Sequence, residues 1–287
     1  MDIKVLLGIL NRPWMIEPSQ VEYWGNIAGE FLAGRIMGVP SIDSRKYFDD
    51  SIFRVDQNGT VNPSGAVQVI SLNGPIAKYD FCGTPGSQSI QQAVRAANQN
   101  STIESIVLWI DSPGGQVDGT ANTAEEIKKS AKPIVAFADG MMASAAYFMG
   151  SGASEIIVDK ANNGFNTLIG SIGTMASWMD KTKMYEASGI KFHTVFASKS
   201  TDKGRMQENM NAGNYSELIK MLDNINDSFL NAVQQNRQGK IDLQKEDVLT
   251  GKIYEGKDAI KYGLADKLGD FQTAVKRSLQ LAKTIRA

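Results

Sequence analysis

Four short strand-like runs rich in apolar residues, separated by stretches of helical spacing, most constrain what this chain can fold into. They are Val67 to Leu72, Ile106 to Ile110, Ile134 to Ala138 and Ile156 to Val158. An unbroken run such as Ile106-Val107-Leu108-Trp109-Ile110 suits a strand buried on both faces, the usual setting of a parallel sheet. Between the runs, the spacing predicts helices over Ser89–Asn98, Thr120–Lys129 and Met142–Ser151. Strand, helix and strand at this spacing mean βαβ units. The tail reads as three helices, Tyr215–Arg237, Lys257–Tyr262 and Phe271–Arg286. Phe192 to Phe196 alternates as one more strand, with His193 on its polar face beside Lys191. The expected fold class is therefore α/β, with repeated βαβ units and flanking helices.

Residues 1–66 have a different texture and read as an N-terminal extension to a main domain over 67–287. Ile16 to Met37 has amphipathic helical spacing, and the mixed stretch from Gly38 to Gly65 predicts partial strands and loops. Such an extension could serve as an arm on a neighbouring subunit. The apolar run Val5–Leu10 is too short to span a bilayer, and Asp2 spoils the positive start of a secretion signal. The expectation is a soluble, cytoplasmic protein with no membrane anchor. The net charge is −1 and the basic residues are scattered, which argues against nucleic acid as a partner. The single cysteine, Cys82, excludes an intrachain disulfide, and one cysteine with one histidine cannot supply a usual zinc site. Neither a metal nor a cofactor is expected.

The scarcity of histidine also narrows the catalytic options. A serine hydrolase needs a base for the hydroxyl proton, and a lysine serves when burial leaves its amine neutral. Ser144 follows the strand ending at Ala138 and opens a helix rich in small residues. It reads either as a helix cap or as a nucleophile. Asp111-Ser112-Pro113-Gly114-Gly115 closes another buried strand, where open α/β sheets place their sites. Gly114 and Gly115 can present bare N–H groups, and that of Ala145 could join them in cradling an oxyanion. The loop could equally be a plain turn. Gly170-Ser171-Ile172-Gly173-Thr174 is a dense run of small residues that offers a hydroxyl to a catalytic amine. The polar run Ser198 to Arg205 carries Lys199 and Lys203, either of which could simply be solvated.

These pieces, in this order, resemble the signal peptide peptidase family of serine peptidases, which shares the fold of the Clp protease and of crotonase. The matching stretches are "IDSPGG" at 110–115, "ADGMMASAAYFM" at 138–149, "GSIGT" at 170–174 and "VLTGKIYEGKDAIKYGLADKLG" at 248–269. The resemblance implies Ser144 as nucleophile, Lys203 as general base with Lys199 as the alternative, and Ser171 as a hydrogen-bond partner of the amine. It implies an oxyanion hole from Gly114, Gly115 and Ala145, no cofactor, and a homo-oligomer whose packing helps form the substrate groove. Ala145-Ala146 stands where bacterial members usually carry Gly-Gly. That feature, with "ISLNGPIAKYDFCGTPG" at 70–86 and "FASKSTDKG" at 196–204, is similar to the phage and prophage branch of head maturation and capsid assembly proteases. The implied substrate is then a capsid or scaffold polypeptide, met in a bacterial host cytoplasm or an assembling phage head. The alternatives are a cytoplasmic protease like the signal peptide peptidases and a capsid-assembly scaffold that keeps the fold without catalysis.

Overall fold

The computed structural model describes residues 14–16, 18, 52–55, 61–80, 84–178, 180 and 182–286. Apart from Ile16 and Pro18, the helix expected over Ile16–Met37 lies outside the described residues, as does Cys82. The first elements are β1 (Trp14–Ile16), β2 (Ile52–Val55), β3 (Val61–Asn73), α1 (Ser87–Gln99), β4 (Ile103–Ser112) and β5 (Gly114–Gln116). Next come α2 (Thr120–Lys128), β6 (Ile134–Ala143), α3 (Ala145–Ser151), β7 (Glu155–Asp159), β8 (Leu168–Gly170) and α4 (Thr182–Ala187). The chain then forms α5 (Arg205–Asn211), α6 (Ser216–Asn236), β9 (Ile253–Glu255), α7 (Gly256–Lys261), β10 (Lys267–Gly269) and α8 (Phe271–Arg286).

The main sheet has the order β10-β7-β6-β4-β3-β2, with β8 added to the far end of β6 and β9 to β8. β3, β4, β6, β7 and β10 run parallel, while β2 returns antiparallel on β3. The division between residues 66 and 67 falls inside β3.

Side-chain alternation along each strand divides the core into two layers. Ile106, Leu108 and Ile110 of β4 and Ala136 and Ala138 of β6 face one layer. There they meet Ile90 and Val94 of α1, Ile127 of α2, Phe148 of α3 and Phe229 of α6. Val107, Val135 and Phe137 face the other, under Ala274 and Val275 of α8. Phe271 closes this layer, its ring centroid 4.9 Å from that of Trp109. Each fully buried valine, leucine, isoleucine or phenylalanine among them contributes roughly 1.5–3 kcal/mol, which favours the register of the central strands that keeps them inside.

Two expectations need correction. The helix expected from Met142 begins at Ala145, because β6 continues through Gly140 and pairs Met141, Met142 and Ala143 with β8. Phe192–Phe196 forms no strand; these residues are exposed and no described strand lies alongside them. Alternation gives a strand only where an edge and a burying face are available.

The C-terminal end of α6 is fastened by a buried charge. The Arg237 guanidinium is 1% exposed and donates to Gly263 O at 2.8 and 2.9 Å and to Asp266 at 2.9 and 3.2 Å. Asp266 also accepts from Ile156 N–H and from Lys240. Burial alone would raise the Asp266 carboxyl, but Arg237 and Lys240 outweigh it and hold the group below its ordinary value. Arg237→Ala takes the donors from the buried Gly263 carbonyl and one of two cations from the partly buried Asp266, and should cost about 3 kcal/mol, read as a lower midpoint in urea. A depressed carboxyl contributes its stability above the unfolded value, near 3.9, and loses it as pH falls through the folded one. The parent's advantage over this variant should therefore shrink on acidification below about pH 4.

Candidate active site

The strand β6 ends in a sharp turn whose apex is Ser144. Gly140 has φ +97 and lies against Asp111, where a Cβ would stand 2.5 Å from Oδ1. The Asp111 carboxylate accepts the Met141 N–H at 3.0 Å, which steers the strand toward the apex. Ser144 has φ 52 and ψ −117, a combination that glycine adopts and other residues resist. Its N–H donates to Gly170 O at 2.8 Å, and its carbonyl accepts from Phe148 N–H at 2.8 Å, starting α3. The hydroxyl does not cap the helix. It donates instead to Gly173 O across a long 3.4 Å. The strand-to-helix turn thus presents the side chain away from its own backbone, as nucleophile turns do.

The glycine loop meets this turn. Gly114 has φ +97, and a Cβ on it would stand 2.9 Å from both Ala143 O and Ala145 N and collide with Met15 O. Gly115 is packed against the backbone of Ile76, again with no room for a side chain. Gly114 N–H donates to Ser112 Oγ at 3.2 Å, and Ser112 Oγ donates to Gly74 O at 2.6 Å. Ala145 is the first residue of α3, so its N–H has no intrahelical acceptor. On the other side, Gly170 and Ser171 both have positive φ, and Ser171 N–H donates to Lys252 O at 2.9 Å. Ser144 is thus in contact with Gly170 and Gly173 on one side, while its neighbour Ala145 lies against Gly114 on the other, and Ser144, Gly114, Ala145 and Ser171 are all buried.

The lysines stand apart. Lys199 and Lys203 are exposed, and among the described residues no hydrogen bond joins either amine to Ser144. Their segment also exposes large apolar side chains, Val195 at 93% and Phe192 at 75%. His193 is exposed there too.

Three residues here are not singled out by the sequence. Thr174 Oγ1 is buried with no hydrogen-bond partner among the described residues; it closes the small-residue run, but Ser171 drew the attention. Asp111 was read only as part of a loop, not as the brace of the turn. Met15, on β1, carried no signal at all. In the helix that follows Ser144, burial pushes the Tyr147 hydroxyl well above its ordinary value, with Arg237 opposing. It stays neutral and donates to Leu264 O at 2.9 Å, a structural contact.

Comparison with known proteins gives a consistent relationship. A model of peptidase family S49 matches residues 126–285, and one of Clp protease matches residues 72–158. The chloroplastic serine protease SPPA of Arabidopsis thaliana is 26% identical over 252 residues, 85% of this chain and 36% of its own length. Capsid assembly protease C of Escherichia phage lambda is 23% identical over 292 aligned residues, 92% of this chain and 62% of its own. The chain thus spans less than two thirds of either relative. A solved structure, the 1510-N membrane protease specific for a stomatin homologue from Pyrococcus horikoshii, is 18% identical with a TM-score of 0.44, covering 74% of this chain and 77% of its own.

The strain at residue 144 can be measured apart from any chemistry. Ser144→Gly removes the side chain that resists positive φ, whereas Ser144→Ala keeps that penalty. Allowing for the greater freedom of glycine in the unfolded chain, Ser144→Gly should be more stable than Ser144→Ala by about 1 kcal/mol. That corresponds to a Tm higher by roughly 2–4 °C in thermal unfolding.

Proposed function

The chain belongs to peptidase family S49, and on that premise we propose that it is a serine endopeptidase using a Ser-Lys dyad. The reading is carried by Ser144, held at positive φ beside the Ala145 N–H and the Gly114 loop. Lys203, or in its place Lys199, takes the proton from Ser144. The alkoxide attacks a peptide carbonyl, and the N–H of Ala145 with the Gly114–Gly115 backbone holds the oxyanion. The protonated amine then gives its proton to the leaving nitrogen, and water releases the acyl group. In this reading the Ser171 hydroxyl steadies the amine; the Thr174 hydroxyl, buried without a hydrogen-bond partner among the described residues, supports a second contact of that kind.

The lysine must travel to the serine, and association of copies is the proposed means. The exposed Phe192, Val195 and Trp178 side chains support a surface covered by a second copy of this chain. The natural substrate is proposed to be a capsid or scaffold polypeptide, in line with the capsid assembly protease of phage lambda, acted on in a host cytoplasm or an assembling head. No helix among the described residues is long and apolar enough to cross a membrane. A scaffold role without catalysis is the competing reading, favoured by the exposure of both lysines.

Mass spectrometry after incubation with candidate capsid and scaffold proteins separates the two. Ser144→Ala should lower the cleavage rate by about three orders of magnitude or more while leaving the Tm near the parent's. Lys203→Ala should do the same and Lys199→Ala should cost less than about tenfold; the reverse pattern moves the base to Lys199. Equal cleavage by parent and Ser144→Ala would sink the peptidase reading.

A further inference from the structure

Among the described residues, the small strand β1 pairs only with the glycine loop. Trp14 pairs with Gln116, Met15 with Gly115 and Ile16 with Gly114, antiparallel. The opposite edge of β5 is already used: Ile76 N–H donates to Gly114 O and Gln116 N–H to Ile76 O, each at 2.8 Å. β5 therefore has one edge to offer, and the chain's own residues 14–16 lie on it. Met15 O touches the α-carbon region of Gly114, on the side where Ala145 N also approaches. Met15 O and Ala145 N, the latter a proposed oxyanion donor, thus lie against the same face of Gly114. With β1 seated, Met15, Ile16, Gly114, Ser144 and Ala145 are all buried.

The seat is imperfectly filled. Beside Met15 lies a cavity of about 300 Å³, walled by Val117, Ala121, Phe148 and Ile225 with Asn224 and Ser228 at its side. An apolar side chain longer or broader than that of methionine would gain contacts there that Met15 leaves unmade. A three-residue strand on a three-residue partner is also a weak attachment, because two-stranded pairs are marginal in water.

We propose that Trp14–Ile16 is an internal occupant of the substrate edge, and that an extended polypeptide must displace it to reach Ser144. Met15 marks the position where the incoming chain places a large apolar side chain, and the cavity beside it favours leucine or phenylalanine over small or charged residues. This rests on the peptidase reading for the role of Ser144, but occupancy of the edge is measurable without hydrolysis. Exchange of one strand for another is β-augmentation at an edge that is never left bare.

The test uses the full chain carrying Ser144→Ala and fluorescein-labelled unstructured octapeptides with a central Phe, Leu or Asp. Fluorescence anisotropy should show the Phe and Leu peptides binding at least tenfold more tightly than the Asp peptide. Met15→Asp, whose carboxylate is poorly suited to an apolar slot, should raise Phe-peptide affinity about tenfold by loosening the competitor. Ala121→Trp, at an exposed position on the cavity wall, should selectively weaken the Phe peptide. Hydrogen exchange on the parent adds an independent reading: amides of residues 14–16 should lose protection when excess Phe peptide is added. Retained protection with peptide bound, or a folded Met15→Asp protein with unchanged or weaker affinity, would overturn the proposal. If peptide binds as expected but Ser144→Ala cleaves like the parent, the displacement stands and the peptidase reading fails.

Discussion

The backbone at Ser144 resists the conformation it holds, and three neighbours keep it there. Gly170 O accepts the serine N–H, Asp111 braces Met141 three residues upstream, and Gly114 presses against the amide of Ala145. Conformations of this kind cost about 1–3 kcal/mol and persist only where the surroundings over-determine them. The surroundings here are the ends of β4, β6 and β8, strands fixed by a core that leaves Ile110, Ala138 and Ile169 fully buried. The rigid sheet is thus what allows a strained hydroxyl to be aimed. Neither Gly114 nor Gly140 could carry a side chain without moving that aim, since each would meet the neighbouring backbone or carboxylate.

The same geometry creates an edge that needs filling. Turning the chain at Gly114 brings the short strand β5 out of the main sheet, bonded on one side to Ile76 alone. A strand edge beside a cluster of donors is adhesive toward any extended chain. On the displacement proposal, filling it with residues 14–16 sets a threshold that weakly binding chains do not pass. Affinity for substrate then reports a difference between two strands rather than the strength of one.

Much of this architecture was legible because buried parallel strands write continuous apolar runs. β4 and β7 are found where those runs fall, and α8 occupies Phe271–Arg286 as its periodicity predicts. The residues grouped at the strand ends, Ser144, Gly114, Ala145 and Ser171, were legible for the same reason: strand ends are where a sheet gathers its loops. The extension of β6 was not, since the small-residue run from Met142 reads as a helix unless the pairing with β8 is known. β1 was invisible because three residues carry no period, and Ile16 fits the helical pattern that follows it. The strand expected over Phe192–Phe196 failed because alternation in sequence says nothing about whether an edge is at hand.

That failed strand bears on how a dyad could be completed. Its apolar positions are real, and in a single chain they face water: Val195 and Phe192 are among the most exposed large hydrophobic side chains described. Burying them on association would contribute roughly 25 cal/mol for each Å² of apolar surface covered. It would also withdraw the adjoining amines from solvent. Desolvation favours the neutral form of an amine, the form that can accept a proton from serine. A single packing event would then gather the segment, shield its apolar face and prepare a base, while the sheet holds the hydroxyl ready throughout. Under this arrangement an isolated chain would carry the aimed serine without its partner, so activity should follow assembly rather than folding alone.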